Sequence, residues 1–122
     1  MIEVLPERDK DALKKRYDKA GIELCEGASA VVARCKDEEL GECLFTLTSD
    51  KLTVLHLEPQ DDIPLADGIL RSALHVGVNA EVMDAFYAET APEELLKKLG
   101  FIGEEPKSIL VDKLFRSCSC GK

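Results

Sequence analysis

The chain has 122 residues with 24 acidic against 16 basic side chains, a net charge of −8. That length suits one domain around a single core, and the acidic balance works against counterion release, so nucleic acid and anionic membrane surfaces are poor partners. No stretch approaches the roughly 20 apolar residues of a membrane span, and "MIEVLPERDK" lacks the basic start and apolar core of a secretory signal, so a cytoplasmic protein is expected.

"MIEVL" predicts a short strand. Pro6 then predicts a helix start, because proline suits the first helical turn and Glu7 and Asp9 suit its positive end. Ala12, Leu13, Tyr17 and Ala20 recur at helical spacing, and Gly21 suits a C-cap. The densest basic run, "KKR" at 14–16, falls on this helix among acidic neighbours. "ASAVVARC" (28–35) predicts a strand, "KDEELGE" a polar turn with a brief extension, and "CLFTLTS" (43–49) a second strand. In "KLTVLHLEP" (51–59), Leu52, Val54 and, less cleanly, His56 alternate with Thr53, Leu55 and Leu57. Three such strands with short polar turns predict an antiparallel meander.

From Pro64 the pattern predicts a helix to about His75 or Val76. Leu65, Ile69, Ala73 and Val76 share its face, broadened by Ala66, Leu70 and Gly77, and Gly77 and Asn79 suit its end. "AEVMDAFYA" (80–88) predicts a strand. "APEELLKKLG" (91–100) predicts a short helix with Thr90 as N-cap and Gly100 as C-cap, and "SILVDKLF" (108–115) a final strand. Residues 1–116 then form the domain, and 117–122 a polar tail containing Cys118 and Cys120. The order implies an α/β (α+β) fold: a mixed, mostly antiparallel sheet with helices on its faces. The strand–helix–strand step over 51–88 supplies one parallel pair.

This element order, with the strings "LHLEPQDDIPLADGILRSAL" and "APEELLKKLGF", resembles the GNAT-type N-acetyltransferases over nearly the whole chain. The resemblance implies a GNAT-like acyl-CoA N-acyltransferase fold, with acetyl-CoA as cofactor in a wedge where two parallel strands splay apart. It also implies transfer of the acetyl group to a small amine. On this sequence, backbone groups around Leu57 and Pro59 would hold the pantetheine arm. Ile63, Leu65, Gly68 and Arg71, in the loop and the helix after it, would meet the phosphates. Glu58 or His56 would serve as base, and Tyr87 as proton donor.

The chain departs from the family pattern at the loop [QR]-x-x-G-x-[GA]. Gln60 suits its start, but Ile63 and Leu65 stand where the glycines belong. Pro64 removes an N–H, and Glu58, Asp61 and Asp62 bring negative charge toward a polyanion. The family's general-acid tyrosine falls at Leu96, and the asparagine after its fifth strand near Glu89. The alternative is a catalytically inactive module of the same fold that binds a protein partner or a small cationic ligand. Either would act as a monomer or homodimer.

Read from the residues alone, each candidate has a plainer role beside it. His56 is a neutral-range base or a half-buried strand histidine. Glu58 is a base or a solvated loop carboxylate, and Tyr87 an acid or sheet packing. Glu58, Asp61 and Asp62 lack the organised six-oxygen spacing of a calcium loop, so no metal is expected. The five cysteines, an odd number, do not form a secreted disulfide framework. Cys35 and Cys43 read as small strand hydrophobes. "CSCGK" reads as an incidental tail or a soft-metal or redox pair.

Overall fold

The structure, a computed structural model, describes residues 2–82, 84–100 and 108–109. Six strands and three helices follow the order β1 (Ile2–Pro6), α1 (Lys10–Ala20), β2 (Ala28–Cys35), β3 (Glu38–Leu47), β4 (Leu52–Glu58), α2 (Ile63–Asn79), β5 (Ala85–Tyr87), α3 (Glu93–Leu99) and β6 (Ser108–Ile109). They build one open sheet in spatial order β1-β2-β3-β4-β5-β6. Every neighbouring pair is antiparallel except β4 and β5, which run parallel on either side of the α2 crossover. The mixed α/β class expected from the sequence is the class observed.

Several boundaries differ from the sequence reading, each for a local reason. Pro6 ends β1 instead of opening α1, since its fixed φ suits an edge strand. The helix starts at Lys10, where Asp9 Oδ1 accepts from Asp11 N–H at 2.9 Å and from Ala12 N–H at 3.4 Å. Asp62 does the same for α2, accepting from Leu65 N–H at 3.2 Å with Pro64 in the first turn. That helix runs on through Gly77 to Asn79, because Gly77 packs within the helix against Leu52 and the Val82 carbonyl. Its buried stripe is Ala66, Ile69, Leu70, Ala73, Leu74 and Gly77, so Leu65 and Val76 lie at the flanks. Thr90 does not cap α3. Pro92 holds that position, and the Thr90 hydroxyl instead donates to Leu55 O at 2.6 Å. "EELGE" belongs to β3, not to a turn, and β5 is three residues long. Residues 110–115 and the tail 117–122 lie outside the described residues.

The two faces of the sheet carry separate apolar clusters. Val31, Ala33, Cys43, Phe45, Leu52, Val54 and Leu57 pack with the α2 stripe and with Leu95, Leu96 and Leu99 of α3. On the opposite face Ala30 and Leu44 pack with Tyr17 of α1, joined by Leu13, Ala20 and Leu55. Cys43 is fully buried, and burial pushes its thiol well above the ordinary range, which makes it an inert filler of the core.

Tyr17 pins α1 to the sheet. Its ring is fully buried, its hydroxyl lies 2.8 Å from Phe45 O and 2.9 Å from Ser29 O, and it accepts from Ser29 N–H at 3.2 Å. Burial pushes its pKa up to about 12. The neutral phenol is therefore the form that folding favours. Its contribution is whole below the ordinary phenol range and is lost as pH rises through about 12. Tyr17→Phe is expected to cost about 1–2 kcal/mol in urea unfolding, because the one phenol O–H no longer donates to a backbone carbonyl and the Ser29 N–H loses its acceptor. In an alkaline absorbance titration one of the two tyrosines should ionise only as the fold is lost.

Candidate functional site

The site is created by an irregularity in β4. Leu44 of β3 pairs with His56, but the next residue, Phe45, pairs with Val54, so Leu55 is an extra residue on β4. The bulge inverts the alternation seen in the sequence. Leu57 joins Leu52 and Val54 in the α2-side core, while His56 and Glu58 turn to the α1 side. There Glu58 stands directly opposite Glu42 of β3. Like charges at that position repel, so the arrangement calls for cations nearby.

One cation is Arg16 of α1, the residue before the anchoring Tyr17. Its Nε lies 2.9 Å from Glu7 Oε1, and its Nη1 lies 2.8 Å from Glu42 Oε1 and 2.6 Å from Glu39 Oε1. Nη2 adds a second bond to Glu39 at 3.1 Å. Glu42 is the single buried charged residue among those described, with Arg16 nearly as enclosed. Burial pushes the Glu42 carboxyl above the ordinary range and Glu58 adds to the rise, while Arg16 opposes it. Glu39 is displaced the other way, chiefly by its hydrogen bond to Arg16. The second candidate cation is His56, whose Nε2 lies 3.3 Å from Glu58 Oε2. One donor atom from each of Glu42, His56 and Glu58 falls within 4.8 Å of the others.

This cluster borders a cleft of about 450 Å³ between α1 and the ends of β3 and β4, with Arg16, Glu39, Glu42, Glu58 and Pro59 in its wall. Ala12, Lys15 and Lys19 form the helix side. The chain leaves β4 through a cis Glu58–Pro59 peptide into a second, shallow groove formed by Leu40, Pro59 and residues 61–65.

Of the residues singled out from sequence, the fold brings Glu58 and His56 together and sets Pro59 beside Glu58 in the cleft wall. Leu57 is adjacent in the chain, but its side chain is wholly within the α2-side core. Tyr87 is buried at the end of β5 with its hydroxyl 3.1 Å from Glu93 Oε2. Desolvation and then that carboxylate hold its pKa above the ordinary phenol range, and the geometry points its proton at Glu93. Ile63 and Leu65 line the second groove. Gly68 has open space around it, and Arg71 forms a 2.7 Å ion pair with Asp67 one helical turn earlier. Apart from Pro59, which borders both the cleft and the second groove, the cofactor candidates thus lie on the α2 side of the β4 end and the polar cluster on the α1 side.

Sequence reasoning missed Glu7, Arg16, Glu39 and Glu42. Two signals were present. Glu42 is in phase with Leu44 on β3, which puts a carboxylate on a covered face, and Arg16 lies between Ala12 and Ala20 on the flank of the α1 stripe. Among the described residues, no helix is long and apolar enough to cross a membrane. No protein-family model matches this chain, and no curated protein matches it in sequence.

Proposed function

We propose that the chain is a GNAT-type N-acyltransferase-like protein that transfers an acetyl group from acetyl-CoA to a small amine. The observation that carries the reading is the uneven length of the parallel pair. Pairing of β4 with β5 stops at Val54↔Tyr87, whereas β4 continues to Glu58 and ends beside the cleft, whose wall carries both carboxylates and basic side chains. A thioester lying along the edge of β4 that faces away from β3, beyond Leu55, would have Glu58 within reach of an amine held in that cleft, with His56 at 3.3 Å from the Glu58 carboxylate. Acetyl-CoA, when bound, would supply the acyl group and a thiolate leaving group, and Glu58 would take the proton that the attacking amine gives up. The leaving thiolate takes its proton from water, since Leu96 has none to give and Tyr87 is turned to Glu93. Catalysis then rests on positioning.

A second reading, a non-catalytic module of the same architecture, is favoured by one specific contact. The Asp62 carboxylate already bonds the first turn of α2, where a phosphate would bind, and Pro64 withholds an N–H there. Thermal unfolding with acetyl-CoA separates the two. Acyl transfer predicts that acetyl-CoA at about 100 times its Kd raises the apparent stability by about 2.7 kcal/mol. It further predicts that Glu58→Gln keeps this shift while losing acetyl transfer to an amine. No shift with millimolar acetyl-CoA overturns the acyltransferase reading and leaves the binding module.

A further inference from the structure

Three side chains from two strands converge where the like-charged pair Glu42↔Glu58 meets His56. The set differs from a surface patch of acids in two respects. One of its three donors is an imidazole nitrogen, and one carboxylate, Glu42, is buried and held from behind by Arg16. Two donors bound at about 2.05 Å to one tetrahedral ion lie about 3.3 Å apart. His56 Nε2 and Glu58 Oε2 are already at 3.3 Å. Glu42 completes the group within 4.8 Å and needs a shift of at most about 1.5 Å to join the same sphere. The bond from Arg16 Nη1 to Glu42 Oε1 orients this carboxylate from outside the sphere, in the way hydrogen-bonded partners commonly orient metal ligands.

The geometry points to a site for a first-row divalent transition metal ion, of which Zn²⁺ is the probe, ligated by Glu42, His56 and Glu58. The imidazole nitrogen beside two carboxylates suits Zn²⁺ and its neighbours, whereas Ca²⁺ and Mg²⁺ take oxygen donors alone. Glu42 and Glu58 also line the cleft, so the remaining coordination positions open onto it and would be filled by water or by a ligand in the cleft. The inference does not rest on the acyltransfer reading. The two compete for the same lone pairs: a Glu58 bound to metal takes no proton, so Zn²⁺ would inhibit transfer.

The test is Zn²⁺ titration by calorimetry of the full chain carrying Cys118→Ser and Cys120→Ser, which removes the neighbouring thiols of the tail as competing ligands. One equivalent is expected to bind. His56→Ala in that background is expected to weaken binding at least tenfold without unfolding the protein, since His56 is only half-buried. Glu58→Gln should do the same. Co²⁺ substitution should give an absorption spectrum of nitrogen and oxygen ligation with no sulfur-to-metal band. Loss of all binding in the serine background, affinity within twofold of the parent in His56→Ala, or a sulfur band in the Co²⁺ spectrum each overturns the site. Because this readout contains no acetyl-CoA, its failure is separate from failure of the acyltransferase reading.

Discussion

Arg16→Ala is expected to destabilise the protein by about 3–5 kcal/mol, measured as a lower urea midpoint with an unchanged slope. The loss is not the removal of three surface ion pairs, which would count for little. Glu42 is buried, it faces Glu58 across the β3–β4 ladder, and Arg16 is its hydrogen-bonded cation. Without the guanidinium a buried carboxylate keeps its desolvation cost and its repulsion and loses its compensation. Arg16→Ala/Glu42→Gln should therefore recover a large part of the loss, a coupling that simple loss of packing by the arginine stem would not show.

The pH dependence follows from the two opposite displacements. Glu42 is raised by burial, so its folded form prefers the proton. Its contribution is whole below the ordinary carboxylate range and is lost as pH rises through its raised value. Arg16 opposes that rise, so in Arg16→Ala the penalty should grow and the variant should be least stable at neutral pH. Glu39 is held below the ordinary range chiefly by Arg16. In the parent chain it contributes stability above that range, which is lost as pH falls. The variant should lack this acid-side loss.

The second large effect is expected at Gly41→Ala, about 2–3 kcal/mol or more, because no space exists for a single methyl. A Cβ at Gly41 would meet the Glu58 carbonyl oxygen, with Pro59 Cδ at 2.6 Å and Ile69 Cδ1 at 2.8 Å. Two of these neighbours are the end of β4 and its exit, and the third is the buried face of α2. The methyl would have to push apart the junction that aims Glu58 at His56. Zn²⁺ affinity should fall together with stability. Gly68→Ala is the control. It lies in the interior of α2 with nothing within 4 Å of the added carbon, and the better helix former should stabilise by about 0.5–1 kcal/mol.

The order of elements was legible from the sequence because each element carries its own local cause. Alanine, valine and leucine runs broken by polar turns specify the β2–β4 meander. The α2 periodicity between two strands specifies a crossover and hence the parallel β4–β5 pair. Gly21 and Gly100 end their helices with positive φ of 74° and 80°, as expected. His56 and Glu58 were legible as candidates because they close a strand beside an acidic loop.

Local pattern could not yield the site's composition. A one-residue bulge at Leu55 reverses which face every later β4 residue occupies, and strict alternation in the sequence carries no sign of it. Arg16, Glu39 and Glu42 meet across 23 and 26 residues of chain, through a helix–sheet contact whose alignment Tyr17 sets by side-chain packing. The sequence by itself therefore determined the class of fold and the strand on which the polar chemistry sits. Only the tertiary structure decided that His56 and Glu58 share a face with a buried glutamate and its arginine, because strand register and helix docking are non-local.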